Sequence, residues 1–156
     1  MKVRRAENKD IEKILDLLIQ VDMVHHNGRP DIFKGPVTKY NAGQLEDIIK
    51  DDLRPVFVCV DDNDKVLGHA FCMHQQIQDH KLLTDIKTLY IDDICVDEAA
   101  RGKGVGRMLY EHVKEYAMEK GFYNITLNVW ECNPTAIKFY ENMGLKPQKI
   151  GMETIL

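Results

Sequence analysis

The chain has 156 residues, of which 44% are hydrophobic and 29% are charged, and its formal net charge is −4. This composition predicts a single domain over residues 1–156 that buries a sizeable core, and it excludes a disordered chain. The acidic balance argues against non-specific nucleic-acid binding, which needs a basic face. No apolar run approaches the roughly 18–20 residues of a membrane span, and residues 1–14 lack the apolar stretch of a signal peptide. We therefore expect a cytoplasmic protein with neither a membrane nor a nucleic-acid partner.

Cysteine and histidine spacing gives little support for a metal or a disulfide. The four cysteines form no CxxC pair, and three of them lie in apolar runs, so we expect buried free thiols. His25 and His26 are adjacent, but they have no cysteine or acidic partner at ligand spacing. The sequence therefore predicts no metal site.

The first half of the chain is predicted to begin with a weak strand and two helices. Apolar residues at helical spacing follow Asn8, which is expected to cap the first helix. The expected elements are a strand over 2–6, a helix from Asn8 through Leu18, an irregular segment over 25–43 with a short helical turn near Asp31–Lys34, and a helix over 43–52.

The second half alternates between strands and helices. Two β-branched runs flank a polar turn and predict a hairpin, and the hydrophobic period later changes from about two to about 3.6. The expected elements are strands at 55–60 and 66–77, a loop at 78–85, a strand at 88–96, a helix ending at Gly121, a strand at 124–130, a helix from Asn133-Pro134 to Gly144, and one or two strands within 145–156. This order indicates a mixed α/β sheet with helices on its faces.

The segment RGKGVGR at 101–107 lies between a predicted strand and a long amphipathic helix. Its glycines let backbone N–H groups approach an anion, and the helix start adds unpaired donors and a positive dipole end. Three basic side chains surround the same point, so a phosphate or diphosphate site is predicted. The segment does not fit a Walker A loop, and its glycine register is wrong for a dinucleotide-binding fingerprint. A glycine-rich turn with no ligand is the plain alternative.

Residues Arg101–Gly106 match the R/Q-x-x-G-x-G/A pattern of the GNAT family of N-acetyltransferases. The preceding YIDDICVDEAA resembles the central strand of that family, and ENMGL resembles its C-terminal signature. The resemblance implies the GNAT fold, with a mixed, mostly antiparallel sheet of six to seven strands flanked by about four helices. It also implies acetyl-CoA as co-substrate without a metal, and direct transfer to a primary amine of a small molecule or a peptide. A homodimer through the C-terminal strands is possible.

The resemblance also assigns a binding site for acetyl-CoA. The diphosphate is expected at the segment formed by Arg101, Gly102, Lys103, Gly104, Val105, Gly106 and Arg107. The main chain of Ile94, Cys95 and Val96 is expected to pair with the pantetheine arm. This strand usually carries a bulge in the family, and a neighbouring strand splays away from it. Asn133 resembles a residue that contacts pantetheine.

Three residues are candidates for proton transfer. Tyr140 resembles the tyrosine that protonates the leaving thiolate, although a core position is the alternative. Asp92 and Asp93 are candidates for the general base, and in a regular strand they would face opposite sides. Glu153 and His74 are secondary candidates. Cys95 is expected to be a packing residue, because no histidine is placed to activate it.

In this family the segment between the first two helices usually builds the acceptor site. The residues expected there are His25, Arg29, Phe33 and Tyr40, with His74 and loop 78–85 nearby. Two rival functions remain open: a non-catalytic CoA-binding sensor on the same fold, and a nucleotide-binding protein of Rossmann type.

Overall fold

The computed structural model describes residues 1–156 and contains one mixed sheet with helices on both faces. The helices are α1 (Ile11–Gly28), α2 (Ala42–Lys50), α3 (Val105–Glu119) and α4 (Pro134–Asn142). The strands are β1 (Lys2–Arg5), β2 (Val56–Val60), β3 (Val66–Gln76), β4 (Lys87–Val96) and β5 (Asn124–Leu127). Short 3-10 turns precede α1 at Asn8–Asp10 and follow β4 at Glu98–Ala100.

The sheet order is β1-β2-β3-β4-β5, so neighbours along the chain are neighbours in space. The first four strands pair antiparallel, while β4 and β5 are parallel and are connected through α3. This confirms the mixed α/β prediction. None of the helices combines the length and apolar composition that crossing a bilayer requires.

Each face of the sheet carries its own core. Apolar residues of α1 and α2, such as Leu17 and Leu45, pack with Val58 on one face. Leu109 and Val113 of α3 pack on the other face, and α4 adds partly buried side chains there. Each fully buried leucine contributes roughly 1.5–3 kcal/mol relative to an exposed one. The two cores fix β4 between α1 and α3, where the site described below lies.

Two predicted element ends are wrong. Helix α1 does not begin at Asn8: Glu7 and Asp10 form a capping box over a 3-10 turn, and the helix runs on to Gly28, four residues into the segment predicted to be irregular over 25–43. Strand β5 ends at Leu127 rather than at residue 130. The short helical turn expected near Asp31–Lys34 is present, and in it the Ile32 and Phe33 N–H groups donate to Arg29 O.

The sheet has five strands rather than six to seven, because residues 145–156 form no strand. No residue of 146–156 takes part in a backbone–backbone hydrogen bond, and Pro147 has no N–H to donate. Ile150, Met152 and Ile155 are largely exposed. The possible homodimer through this segment stays a prediction.

Candidate active site

Half of β4 has an open edge toward β5. Parallel pairing joins Thr88–Ile91 to Asn124–Leu127, and β4 then continues to Val96 without a partner on that side. On the other side, the N–H of Asp97, the residue after β4, donates to the carbonyl oxygen of Leu67 in β3 at 2.9 Å. Because backbone groups alternate along a strand, those of Ile94 and Val96 point to the open side. Arg101 Nε donates to Val96 O at 3.4 Å, which agrees with this direction. An extended polar chain can pair with this edge.

The glycine segment lies at the end of this open edge. Gly102 and Gly104 have φ values of 75° and 82°, in the left-handed region that favours glycine. The position that a Cβ would take at either residue has no atom within 4 Å. Gly104 begins α3, and no acidic residue lies in the first turn of that helix. The first N–H groups of α3 therefore face open space at a positive dipole end.

Three basic side chains surround the glycine segment 101–107, which is called the glycine cradle below, as the sequence predicted. Lys103 Nζ donates to Ala99 O at 2.9 Å, and Arg101 and Arg107 pair only loosely with glutamates, at 3.9 Å and 3.7 Å. All three side chains are exposed. Val105 is buried at the start of the helix and anchors the cradle to the core. The open space, free N–H groups and cations fit the diphosphate of acetyl-CoA.

Gly106 marks where α4 packs against the cradle. A Cβ at this position would lie 3.3 Å from the Phe139 ring, which is tighter than an ordinary contact. Asn133 begins α4, and its Oδ1 accepts the Ala136 N–H at 3.1 Å. The side-chain amide nitrogen of Asn133 makes no hydrogen bond within the chain, so it is free for the predicted pantetheine contact.

Asp92 and Asp93 lie at a bulge in β4. Phe71 pairs with Asp93 and Cys72 pairs with Ile91, so Asp92 is the extra residue. Asp92 Oδ2 accepts a hydrogen bond from Lys39 Nζ. Asp93 Oδ2 lies 2.7 Å from His69 Nε2. The bulge breaks the alternation expected of a regular strand, and both carboxylates find partners on the α1–α2 side of the sheet.

An aromatic row joins the two partners of these carboxylates. His69 packs edge-on against Phe71 at 5.0 Å, and Phe71 stacks on Tyr40 at 5.9 Å. Lys39 Nζ lies 5.5 Å from the centre of the Tyr40 ring. His69 is fully buried, and its Nδ1 has no hydrogen-bond partner. This row fixes the position of both carboxylates from the acceptor side.

Tyr140 is partly buried on α4. Burial raises the pKa of its phenol, and the negative charge of Asp93 raises the pKa further. The Asp93 charge is therefore felt at the Tyr140 hydroxyl, although the two residues come from different elements. A phenol with a raised pKa stays protonated at neutral pH and is available as a proton donor.

Cys95 is buried against α1, as expected for a packing residue. Its Sγ donates to Leu17 O at 3.3 Å, and burial, aided by Asp93, raises the pKa of the thiol to about 12. Such a thiol carries almost no thiolate at neutral pH. All four cysteines are free, and three of them are buried.

Two of the predicted acceptor residues, His25 near the end of α1 and Phe33 after it, form a wall with Trp130 from after β5, whereas Tyr40 stacks on Phe71. Phe33 stacks on His25 at 5.0 Å and meets the Trp130 ring edge-on at 5.1 Å. Arg29 pairs with both Asp31 and Glu153, 124 positions away in the sequence. Glu153 is thus committed to an ion pair, and it ties the C-terminal segment to the end of α1.

The structure does not bring His74 together with these residues. His74 Nε2 lies 2.9 Å from the Tyr116 hydroxyl, and its ring packs edge-on against Phe122 at 4.7 Å. Both neighbours lie with the α3 core, on the opposite side of the sheet from α1 and α2. Burial, followed by the charge of Lys87, lowers the pKa of this imidazole. We therefore leave His74 out of the acceptor site.

Sequence reasoning missed three residues of this region: Lys39, His69 and Trp130. His69 interrupts an otherwise apolar strand, VLGHAFC, and such a buried polar residue needs a partner. That signal was available in the sequence. Lys39 and Trp130 lie outside regular elements, and their contacts depend on the tertiary fold.

The model of the acetyltransferase (GNAT) family matches residues 22–145. The chain therefore belongs to the GNAT family, and it is an N-acetyltransferase. It is 30% identical over 149 residues to the peptidyl-lysine N-acetyltransferase YjaB of Salmonella typhimurium, covering 94% of this chain and 83% of that protein. A segment of 56 residues, 36% of this chain and 30% of the other, is 43% identical to a streptothricin acetyltransferase of Streptomyces lavendulae.

A solved structure of a mutant of the BH1408 protein from Bacillus halodurans has the same fold. Its TM-score is 0.95 at 31% sequence identity, with 100% of this chain and 99% of that chain covered. The match extends over the irregular segment between α1 and α2 and over the C-terminal residues.

Proposed function

We propose that this acetyltransferase uses acetyl-CoA to acetylate a primary amine by direct attack within a ternary complex. The observation that carries the proposal is the open edge of β4, which runs from the paired carboxylates into the glycine cradle. This arrangement offers backbone donors and acceptors to an extended chain and free N–H groups to a diphosphate at its end. Few ligands other than CoA combine these two features.

Acetyl-CoA, when bound, supplies an acetyl thioester. The backbone groups of Ile94 and Val96 bind its pantetheine arm, and the first turn of α3 binds its diphosphate, aided by Arg101, Lys103 and Arg107. A backbone N–H of this edge also polarises the acetyl carbonyl.

The carboxylates of Asp92 and Asp93 attract and orient the acceptor ammonium. An amine must lose a proton before it can attack, and a carboxylate within reach, directly or through one water, accepts it. Asp92 has the more direct claim to this role, because a primary ammonium already binds it in the free protein. His69 is a positioning residue that orients Asp93.

Tyr140 donates a proton to the leaving sulfur. Its raised pKa keeps the phenol protonated until transfer, and the thiolate that leaves is stabilised by taking this proton. Cys95 takes no part as a nucleophile, because its thiol is buried, protonated and bonded to a carbonyl of α1.

The acceptor enters beside the aromatic wall of His25, Phe33 and Trp130. This surface suits the methylene chain that carries a primary amine, since aromatic faces pack well against both alkyl chains and cations. The relatives named for peptidyl-lysine and for streptothricin make an amine on a flexible chain the first class to test.

The proposal is tested by incubating the protein with acetyl-CoA and each of a panel of amines and measuring the free CoA thiol that is released. The panel contains a lysine-bearing peptide, a polyamine, an aminoglycoside and a free amino acid. We expect release with at least one primary amine and none with its fully methylated counterpart, which cannot be acetylated. Binding of CoA without turnover on any amine would instead support the CoA-binding sensor.

A further inference from the structure

Lys39 lies on the irregular segment between α1 and α2, and its ammonium binds a carboxylate of the active site. Lys39 Nζ donates to Asp92 Oδ2, although the two residues are 53 positions apart in the sequence. The Lys39 side chain is 51% exposed, whereas that of Asp92 is 14% exposed. The ammonium therefore reaches from the solvent side into the site.

The residues that follow Lys39 hold it in this place. Tyr40 stacks on Phe71 of β3, and Asn41 caps α2 by accepting the Gln44 N–H at 2.9 Å. The Lys39 ammonium also lies over the Tyr40 ring, at 5.5 Å from its centre. A carboxylate and an aromatic face are the two groups that recognise an alkylammonium ion. Lys39 is thus bound as a substrate amine would be.

The surroundings of this ammonium are those that the proposed reaction requires. Asp92 is the carboxylate assigned to the acceptor amine, and Asp93, next along the strand, influences both the Lys39 ammonium and the Tyr140 phenol. The open edge of β4 begins at the same bulge. A primary amine and a proton acceptor are therefore in contact where the open edge of β4 begins, and the Asp93 charge next to them also raises the pKa of the Tyr140 phenol.

We propose that Lys39 is a site of self-acetylation, modified by acetyl-CoA bound to the same chain. This inference rests on the proposed function. The lone pair of neutral Lys39 Nζ forms a bond to the acetyl carbon, and the carbon–sulfur bond breaks. The first proton lost by the ammonium passes to Asp92, the second leaves the nitrogen for water after the carbon–nitrogen bond has formed, and the leaving sulfur takes the Tyr140 proton. The products are N-acetyl-Lys39 and free CoA, and solvent restores the proton of Tyr140.

The ion pair makes this reaction slow. Burial, the largest single effect, would lower the pKa of Lys39, but the hydrogen bond to Asp92 and the negative charges around the ammonium together outweigh it, so the pKa is raised and the ammonium is favoured. Acetylation removes the positive charge and with it the ion pair. Asp92 is then released, so we expect modified protein to bind an external amine more tightly than unmodified protein does.

The test incubates the purified full-length chain with acetyl-CoA carrying an isotope-labelled acetyl group and with no added amine. Peptide mass spectrometry then follows the label at each lysine. We expect label at Lys39 well ahead of Lys34, an exposed lysine of the same segment without an ion-pair partner. Lys39→Arg removes the labelled site while keeping the charge, and the matched Lys34→Arg leaves labelling of Lys39 unchanged.

Two further measurements separate self-acetylation from chemical labelling and from transfer between molecules. Tyr140→Phe slows labelling of Lys39 while leaving the slow labelling of other exposed lysines unchanged. The labelled fraction at a given time does not depend on protein concentration. Labelling of Lys39 no faster than that of Lys34, or a rate that rises with protein concentration, overturns the inference.

The amine panel distinguishes failure of this inference from failure of the proposed function. If external amines are acetylated while Lys39 stays unlabelled, only the self-acetylation is wrong. If neither Lys39 nor any amine is acetylated although CoA binds, both proposals fall.

Discussion

His69 Nε2 lies 2.7 Å from Asp93 Oδ2, and the histidine that makes this contact is fully buried between Phe71 and the strand that carries Asp93. The pair joins β3 to β4 across the sheet at the bulge. A carboxylate held in this way keeps one orientation toward the acceptor, which proton transfer requires.

His69→Asn should lower kcat by about 10–100-fold, because Asp93 loses the partner that orients it. The dissociation constant for CoA should change little, since the His69 side chain lies on the α1–α2 face of the sheet and makes no contact with the glycine cradle. Steady-state kinetics and a CoA titration measure the two effects. His74→Asn is the matched control, with the same substitution in the same strand on the opposite face, and it should keep its kcat. Equal losses in both variants would show that the effect is one of packing alone.

Tyr140→Phe should lower kcat by about 10²-fold, the lower end of what a general acid contributes, with CoA affinity unchanged. Because the pKa of Tyr140 is raised above its ordinary value of 10, the wild-type rate should not fall on the alkaline side before that pH. Pre-steady-state thiol release across pH measures both. The control is Tyr110→Phe, which removes the hydroxyl of a buried tyrosine whose pKa burial also raises. An unchanged rate for Tyr140→Phe at every pH would remove the phenol from the reaction.

Asp97 connects β4 to the glycine segment and makes a pH-dependent contribution to stability. The hydrogen bond from Lys13, followed by that from the Ala99 N–H, lowers the pKa of this carboxyl below its ordinary value of 3.8. Its stabilisation is therefore present above about pH 3.8 and is lost as the pH falls through the lower, folded-state pKa.

Asp97→Asn should accordingly be less stable than the wild type at neutral pH, and the two should converge in acid. Urea unfolding at a series of pH values measures the difference. Asp16→Asn, which removes the more exposed carboxylate partner of Lys13, should change the free energy of unfolding by no more than about 0.5 kcal/mol. If the wild type and Asp97→Asn differed in free energy of unfolding by the same amount in acid as at neutral pH, the charge of Asp97 would not be responsible for the difference.

Periodicity and helix-ending residues were enough to predict most of the fold. The stripe that starts at Val105 and the glycine at 121 bound α3, and Asn133-Pro134 begins α4 where expected. These signals are local, because capping and backbone conformation depend on residues a few positions apart. The GNAT resemblance and the N-acetyltransferase activity that it implied are confirmed by the family match.

What could not be predicted depends on contacts between distant parts of the chain. Helix α1 continues to Gly28, the second residue of an Asn-Gly pair, and a Cβ at Gly28 would lie only 2.7 Å from the Cys132 sulfur, so this helix end packs closely on the segment after β5. The family resemblance implied a bulge in β4, but its position at Asp92, which changes the side that this carboxylate faces, cannot be found from alternation alone. The Lys39–Asp92 contact likewise has no local signal. The roles of the predicted site residues stay predictions.

The glycine cradle offers a sharp test, because the chain contains a matched position without the proposed ligand. Gly104 and Gly121 both have positive φ values, 82° and 68°, and neither has an atom within 4 Å of a built Cβ. They lie at the start and just past the end of α3. An aspartate at either position costs roughly 1–2 kcal/mol of backbone strain, but only the one at 104 places a negative charge where the diphosphate is expected.

Calorimetric titration of CoA into the wild type, Gly104→Asp and Gly121→Asp therefore tests the central claim most directly. We expect saturable binding for the wild type, similar binding for Gly121→Asp, and a loss of affinity of at least tenfold, or about 1.4 kcal/mol, for Gly104→Asp. Wild-type affinity in Gly104→Asp, or no binding to the wild type at all, would contradict a diphosphate site at the start of α3.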